Sequence, residues 1–389
     1  MREGWARLWE WEPFRRSLLL YLVVRIALSL WAVLVLALVP VETGPLEPAR
    51  PYYGVLPVDE GLAGLLLGPW QRFDTLHYIQ LATHGYQANT PHSVFPPLYP
   101  LLIRAVGGLM GGQYLLAALL ISNVCAFGYL IVLFVLARQE TGPAAASKAH
   151  IYAALYPWAF ILLAGYSESL FLLLAGLAFW LAQRERGWMA GLCGVLAALT
   201  RLQGAAVALP LLFIALRQRG FRLWPLRLDL LWPLLPALAS VGFVLGRAWA
   251  GLEPISVVHA MYWRQTFAFP WVSMAANLRN MLGGMAHPTD YLDLTAAWLG
   301  IALTVVAWWQ LNPAYALYMS AMTLLNITHL RTPHPMSSVG RYTMGLFPGF
   351  FLLGRWGARH VWLNRLITYG SVLLLMWLSG QFFLWGWTG

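Results

Sequence analysis

Residues 17–39 read SLLLYLVVRIALSLWAVLVLALV, an apolar run that ends at Pro40 and carries Arg25 as its one charge. Its length matches the ~20 residues that a helix needs to cross the hydrocarbon core of a membrane. The run is too long for the apolar core of a cleaved signal peptide, about 7–15 residues, and no convincing cleavage site follows it. We therefore expect a permanent membrane anchor, in which Arg25 extends toward the inner surface.

The composition extends this pattern over the whole chain. Of the 389 residues, 60% are hydrophobic and 10% are charged, against roughly 25% charged in soluble domains. The predicted fold class is an all-α polytopic integral membrane protein with about eleven transmembrane helices, forming one integral domain over 1–389. After residues 17–39, the apolar runs lie near 113–137, 149–165, 168–182, 188–200, 204–216, 229–250, 291–310, 313–329, 342–354 and 361–385.

The formal net charge of +10 comes from basic residues in the turns between these runs. If the N-terminus is cytoplasmic, the basic turns fall on the cytoplasmic side, as the positive-inside rule requires. Loops 40–95 and 251–290 are then extracytoplasmic, as are the turns near Ser167, Arg201 and Pro335. We expect membrane lipids and no nucleic acid as partners. The cytoplasmic basic residues are Arg2, Arg7, Arg15, Arg16, Arg138, Lys148, Arg184, Arg186, Arg217, Arg219, Arg222, Arg227, Arg355, Arg359 and Arg365.

Two apolar hairpins are too short to cross the membrane fully. In 149–182, pieces of about 14 residues reach only about 21 Å each and flank the sequence GYSES at 165–169. The hairpin at 188–216 is too short by the same measure, and the sequence TRLQG at 200–204 lies at its midpoint. Polar backbone at that depth requires a water-accessible cavity, so we expect both tips to line one depression. An ion pair between Glu168 and Arg201 is the alternative.

The sequence RFDTLHY at 72–78 is rich in groups that can do chemistry. A helix there places Asp74, His77 and Tyr78 on one face by their i, i+3, i+4 spacing. A carboxylate beside an imidazole at a membrane surface is a workable general base. The alternative is an Asp74 that caps a helix or pairs with Arg72 in a solvated loop.

The sequence FPPLYP at 95–100 predicts a rigid, aromatic turn that enters the membrane. Proline lacks a backbone N–H and restricts the residue before it, so a continuous helix is not expected before Leu101. A stiff segment without chemistry explains this sequence equally well. Cys125 and Cys193 lie in apolar runs, so neither a disulfide framework nor a CxxC site is predicted.

Taken in chain order, these elements resemble the PIG-V mannosyltransferases. The resemblance extends over 17–216, and weakly to Arg341-Tyr342 and Phe347-Pro348. Phe73 stands where that family usually has Trp, Pro96 where a second Phe is common, and Gln203 where Asn is frequent. These departures bear on packing and substrate identity more than on chemistry. The matching elements are the aromatic-Asp-x-x-His-aromatic motif at 73–78, Gly85-Tyr86, FPPLYP at 95–100, YSESLF at 166–171 and TRLQG at 200–204.

The resemblance implies a GT-C glycosyltransferase fold. Its module covers about 17–216, includes the first extracytoplasmic loop 40–95, and is followed by variable C-terminal helices over about 229–389. The implied activity is inverting transfer of mannose, or a related hexose, from a polyprenyl-phosphate-linked donor to a lipid or glycan acceptor in glycolipid biosynthesis. The active site is expected to be extracytoplasmic, in a prokaryotic plasma membrane. No cofactor is obligatory, no metal site is predicted, and use of a divalent metal is left open, as is the oligomeric state.

This chemistry requires an apolar groove, a cation for the leaving phosphate and a base for the acceptor hydroxyl. Asp74 and His77 are the predicted catalytic residues. Arginine suits the phosphate because its planar fork donates two parallel hydrogen bonds. The predicted phosphate-binding residues are Arg201, Arg341 and Arg331. The other predicted substrate-binding residues are Tyr78, Tyr99, Tyr166, Glu168, Gln203 and His334, although a solvated loop position is an alternative for His334.

Two other functions are compatible with a polytopic chain. A membrane transporter is expected to show repeated halves and helices broken near the midplane, whereas the polar breaks here are predicted to gather on one face. A non-catalytic polyprenyl-lipid-binding or assembly subunit is a further alternative, because family membership alone does not establish activity. The presence of Asp74 favours an enzyme.

Overall fold

The computed structural model of this chain describes residues 9–41, 50–222 and 230–388. The predicted cytoplasmic residues Arg2, Arg7 and Arg227 lie outside the described residues, as does the 42–49 part of loop 40–95. Helices dominate, which confirms the all-α class. In chain order they are α1 (Glu12–Leu38), α2 (Gly61–Leu66), α3 (Asp74–His84), α4 (Leu98–Leu109), α5 (Tyr114–Thr141), α6 (Pro143–Ala154), α7 (Glu168–Ala182), α8 (Gly187–Thr200), α9 (Ala208–Gln218), α10 (Leu235–Trp249), α11 (Ile255–Trp263), α12 (Pro270–Leu282), α13 (Pro288–Gln310), α14 (Pro313–Ile327), α15 (Val339–Thr343), α16 (Gly349–Arg359) and α17 (Val361–Phe383).

In the described part of the chain, 4 helices are long and apolar enough to cross a membrane: α1, α5, α13 and α17. The chain is therefore an integral membrane protein. Shorter apolar helices include α4, α7 and α8. Because α7 begins at Glu168 and α8 ends at Thr200, the polar tips predicted from length arithmetic lie at helix ends.

A short antiparallel ribbon was not predicted. Strand β1 (Gln265–Phe267) pairs with β2 (His329–Arg331), with Thr266 opposite Leu330. β1 follows Arg264, whose φ of 49° lies in the left-handed region and ends α11. Strands this short carry too few residues for a period-2 pattern to be recognised in the sequence.

The prediction that no helix begins before Leu101 is wrong, because α4 begins at Leu98 and includes Pro100. A proline in the first turn replaces an N–H that has no partner within the helix, so it is tolerated there. The sharp turn between α5 and α6 follows the expected chemistry. Gly142 has a φ of 85°, which glycine adopts without steric cost, and Pro143 begins α6.

By its contacts, the chain divides into two compact units. The first comprises residues 1–79, 103–176 and 350–387. Within it, α1 packs against α5 and α17. Tyr21 Oη donates to Asn123 Oδ1 at 3.0 Å, and Trp31 Nε1 donates to the carbonyl of Met376 at 2.9 Å. Such interhelical hydrogen bonds average about 0.6 kcal/mol in a bilayer, so they specify helix register more than they stabilise the fold.

The second unit comprises residues 80–102, 177–349 and 388–389. In its core, the ring of Phe179 stacks on Tyr315 with centroids 5.0 Å apart and planes 12° apart. Phe347 meets Phe179 edge to face at 5.6 Å. The hydroxyls of Thr304 and Thr323, 2.8 Å apart, link α13 to α14. Aromatic packing and one buried polar contact thus hold the end of α7, α13 and α14 in register.

Candidate active site

The site in the first unit begins at Phe73, which has a φ of 48°. A side chain in the left-handed region costs about 1–3 kcal/mol and persists only where its surroundings hold it. Here the ring of Phe73 lies 5.6 Å from Phe382, 5.5 Å from Trp385 and 5.3 Å from Trp387, centroid to centroid. These aromatic contacts offset the backbone cost and fix the point at which α3 begins.

Asp74 is the first residue of α3, and His77 and Tyr78 follow in its first turns. The predicted helix and the shared i, i+3, i+4 spacing are therefore confirmed. All three side chains are buried, and Asp74 is only 5% exposed. The alternative of an Asp74 in a solvated loop is wrong, because Asp74 begins a helix and is buried. The ring of His77 packs on Tyr53, with centroids 4.5 Å apart.

Hydrogen bonds join α3 to the polar tip at 165–169. The backbone N–H of Asp74 donates to Tyr166 Oη at 3.4 Å. Tyr78 Oη and Ser167 Oγ lie 2.6 Å apart. Glu168, which is buried, directly follows Ser167 and is the first residue of α7. The structure thus brings the predicted residues Asp74, Tyr78, Tyr166 and Glu168 together in one unit.

Gly165 allows this close approach. A Cβ atom there would lie 2.6 Å from Thr75 Cγ2 and 3.2 Å from the Cβ of Ala118. Both contacts are shorter than real Cβ atoms normally make, so any larger residue would push α3 away from the tip. The backbone carbonyl of Tyr166 is held on its other side by Ser122 Oγ at 2.8 Å.

Arg72 is a site residue that sequence reasoning considered only as a partner for Asp74. Its guanidinium is buried and lies 4.6 Å from the ring centroid of Trp385. It donates to the carbonyls of Gly68, Gln71 and Phe383, at 2.7, 3.1 and 3.4 Å. Burial lowers the pKa of Arg72 to about 10, so the group stays positively charged at neutral pH. A second arginine, Arg50, lies in the same loop.

In the second unit, two predicted phosphate-binding arginines share one aromatic ring. The guanidinium carbons of Arg201 and Arg341 lie 5.6 and 5.8 Å from the ring centroid of Tyr342. Arg341 is buried within α15, whereas Arg201 follows the end of α8 in extended backbone. Residues 140 positions apart in the chain therefore converge on Tyr342.

The third predicted arginine, also in the second unit, contacts a different aromatic ring. Arg331 in β2 is 5.8 Å from the ring centroid of Trp263, and its Nη1 is 3.5 Å from Ser337 Oγ. Tyr99 is buried in the first turn of α4. Gln203 is half-buried in the 3-10 turn Leu202–Val207.

His334 is held by an acidic partner. Its Nδ1 lies 3.0 Å from Oδ2 of the buried Asp290, which also accepts from the backbone N–H of His287 at 2.8 Å. His334 lies in a loop and its side chain is 33% exposed, and the contact with Asp290 in the first turn of α13 orients its ring. Within 9–41, 50–222 and 230–388, no group of 3 or more His, Cys, Asp and Glu side chains is arranged to hold a metal ion.

A sequence profile of the family described as mannosyltransferase (PIG-V) matches residues 15–222, which is more than half of the chain. The chain belongs to the PIG-V mannosyltransferase family, and the resemblance predicted from its motifs is confirmed.

Curated relatives include GPI alpha-1,6-mannosyltransferase 2 of three rodents. The Rattus norvegicus protein is 34% identical over 155 residues, covering 37% of this chain and 31% of the relative. The Mus musculus protein is 34% identical over 151 residues, covering 36% and 30%. The Cricetulus griseus protein is 32% identical over 160 residues, covering 38% and 31%. The matched region thus spans about a third of each relative's length. No solved structure shows a significant match.

Proposed function

We propose that this protein is an inverting mannosyltransferase. It transfers mannose, or a related hexose, from a polyprenyl-phosphate-linked donor to a lipid or glycan acceptor. Membership of the PIG-V family supports mannosyl transfer, and the matched rodent relatives carry the name GPI alpha-1,6-mannosyltransferase 2. The observation that carries the proposal is the buried Asp74, which begins α3 and contacts the Tyr166 tip inside the region that the family profile covers.

In this proposal, Asp74 is the general base. Its carboxylate takes the proton of the acceptor hydroxyl as that oxygen attacks the anomeric carbon. The bond between this carbon and the phosphate oxygen breaks on the opposite face, so the sugar inverts and polyprenyl phosphate leaves with the electron pair. Held in place by Tyr53, His77 orients the carboxylate or the acceptor. Tyr78, Tyr166 and Glu168 contribute further substrate contacts.

The leaving phosphate needs positive charge where water is scarce. We assign that role to Arg201 and Arg341, because two guanidinium groups on one tyrosine ring offer a phosphate several converging N–H donors. Arg331 is a further candidate. Tyr99, Gln203 and His334 are proposed as additional substrate contacts, with His334 positioned by Asp290.

The proposal includes the membrane arrangement expected from the sequence. In this proposal the protein forms one integral GT-C domain over 1–389, with about eleven helices that span the membrane. The N-terminus is cytoplasmic and loop 40–95 is extracytoplasmic, in a prokaryotic plasma membrane, so the transfer takes place on the outer face. The donor and the acceptor are the partners, and no cofactor is obligatory.

Replacement of Asp74 by Asn tests the assignment, because it preserves shape and removes basicity. Turnover of polyprenyl-phosphate-mannose with a competent acceptor should fall by about 10²–10⁴-fold, while donor affinity stays near wild type. The matched control is Glu60→Gln, which neutralises an exposed carboxylate of the same loop and should leave turnover unchanged. Near-normal turnover in Asp74→Asn rules the base assignment out.

If wild-type protein binds the donor yet transfers no sugar to any acceptor, a non-catalytic lipid-binding subunit replaces the proposal.

A further inference from the structure

A pocket of about 320 Å³ lies in the first unit, where α1 ends. Its volume falls within the range of about 300–1,000 Å³ that is typical of small-molecule sites. One wall is apolar and comes from the end of α1 and from α2, through Leu36, Pro40 and Leu65. Another wall is formed by Arg72 and Trp385. The pocket therefore combines an apolar side with a cation.

Among the described residues, the partners of Arg72 are neutral. Its side chain is 7% exposed, and its hydrogen bonds go to three backbone carbonyls and to the phenol of Tyr52. Its Nε–H, also buried, has no hydrogen-bond partner within the described ranges. In the same part of the chain, no carboxylate lies within ion-pair distance of Arg72. A buried cation without an acidic partner is costly, and a bound anion removes that cost.

Arg50 is a second buried arginine in the same loop. Its charge lowers the pKa of Arg72 further. Asp59 also lines the pocket, but its side chain is exposed, so solvent screens its charge. Arg72 is therefore the buried charged residue among those that line the pocket.

The surroundings of the pocket favour an anion that carries an apolar chain. Leu38, at the end of α1, is 71% exposed, and Leu62 in α2 is 76% exposed. Both flank the pocket-lining residues of their own helices. Exposed leucines beside a membrane-spanning helix face lipid or the interface, where an apolar chain gains contacts that a dissolved anion does not.

We propose that this pocket binds a lipid-borne phosphate, with Arg72 donating hydrogen bonds to the phosphate oxygens and the lipid chain lying along the ends of α1 and α2. The ligand is either polyprenyl phosphate or the headgroup of an anionic phospholipid, since both present the same phosphate chemistry. Binding needs no sugar and no transfer step. A failed mannosyltransferase assay therefore leaves this proposal standing, and a failed binding assay leaves the assignment of Asp74 standing.

The test is lipid titration of the full-length protein in detergent, with native mass spectrometry reporting the bound fraction. The probes are decaprenyl phosphate, dioleoyl phosphatidylglycerol and, as the neutral control, dioleoyl phosphatidylcholine. Arg72→Gln should weaken binding of at least one phosphate lipid by about tenfold or more, because a charge-assisted contact is lost. The matched control is Arg184→Gln, an exposed arginine that also stacks on a tryptophan, Trp180, at 4.0 Å. It should leave binding unchanged.

Two surface variants keep the test decisive if Arg72→Gln does not fold. Leu65 is partly exposed at the pocket wall, so Leu65→Trp should fold and weaken binding by filling the pocket. Asp59→Asn removes the opposing charge and should tighten binding about two- to threefold. A preference for decaprenyl phosphate identifies the ligand as the isoprenoid carrier, and a preference for phosphatidylglycerol identifies a bound membrane lipid. If folded Arg72→Gln binds both phosphate lipids with wild-type affinity, the proposal is overturned. If Arg72→Gln does not fold, wild-type affinity of Leu65→Trp for both phosphate lipids overturns it.

Discussion

Tyr342 is the residue on which the proposed phosphate site depends. Its ring lies within 6 Å of the guanidinium groups of both Arg201 and Arg341. Attraction between cation and ring is worth about 0.5–2 kcal/mol, more where water is excluded. It also fixes both guanidinium groups beside one ring before a phosphate arrives. A phosphate that binds there benefits from preorganised donors and not only from net charge.

Arg201→Lys separates these two contributions. Lysine keeps the charge but loses the planar fork and the stacking on Tyr342, so donor affinity should fall by about tenfold. The measurement is titration with polyprenyl-phosphate-mannose, together with thermal unfolding to show that the fold is intact. Arg186→Lys, at an exposed turn of the same unit, is the control and should bind normally. Unchanged affinity and turnover in both Arg201→Lys and Arg201→Ala would transfer the phosphate role to another residue.

At the scale of elements, the contact between α3 and the 165–169 tip determines where Asp74 lies. It depends on a glycine at the point of closest approach and on hydrogen bonds between groups 92 and 89 positions apart in the chain. Gly165 is therefore required because it lacks a Cβ atom, and its backbone flexibility plays no part.

Gly165→Ala should displace α3 from the tip. It should lower the free energy of unfolding by about 1–3 kcal/mol, the typical cost of overpacking. Thr75→Ser in the same chain removes the Cγ2 atom that the new Cβ would meet, and it keeps the hydroxyl that donates to the carbonyl of Trp70. The double variant should recover much of the stability and of the turnover.

Gly108→Ala is the control for this pair, because a Cβ there meets nothing within 4 Å inside α4. It should be neutral or stabilising by up to about 1 kcal/mol. If Gly165→Ala were as stable and as active as Gly108→Ala, the close approach would have no role in positioning Asp74.

At the scale of the whole molecule, the membrane orientation decides which leaflet supplies the donor. Leu56 tests it, because this residue is 84% exposed in loop 40–95. A Leu56→Cys variant, with Cys125 and Cys193 replaced, should react in intact cells with a reagent that cannot cross the membrane. Arg186→Cys, in a predicted cytoplasmic turn, should react only after the cells are opened. Labelling of Leu56→Cys from the cytoplasmic side alone would reverse the proposed topology and the mechanism built on it.

The amino-acid sequence by itself determined the membrane class, the helix that begins at Asp74 and the two polar tips that end short hairpins. These features depend on composition, on run length against membrane thickness and on the i, i+3, i+4 spacing, all of which are local. Pro100 misled the same reasoning, because a proline at the start of a helix differs in its effect from one in the middle.

Only the tertiary structure decided which side chains are buried and which meet. The burial of Asp74, the contact of Tyr78 with Ser167, the convergence of Arg201 and Arg341 on Tyr342, and the pairing of His334 with Asp290 all join distant parts of the chain. No local period encodes such contacts. Arg72 shows the consequence: its sequence neighbour is the catalytic candidate Asp74, yet its structural neighbours are carbonyls, Tyr52 and Trp385. Packing against the end of α17 supplied the Phe383 carbonyl and Trp385, because a buried guanidinium binds the acceptors that the fold brings within reach.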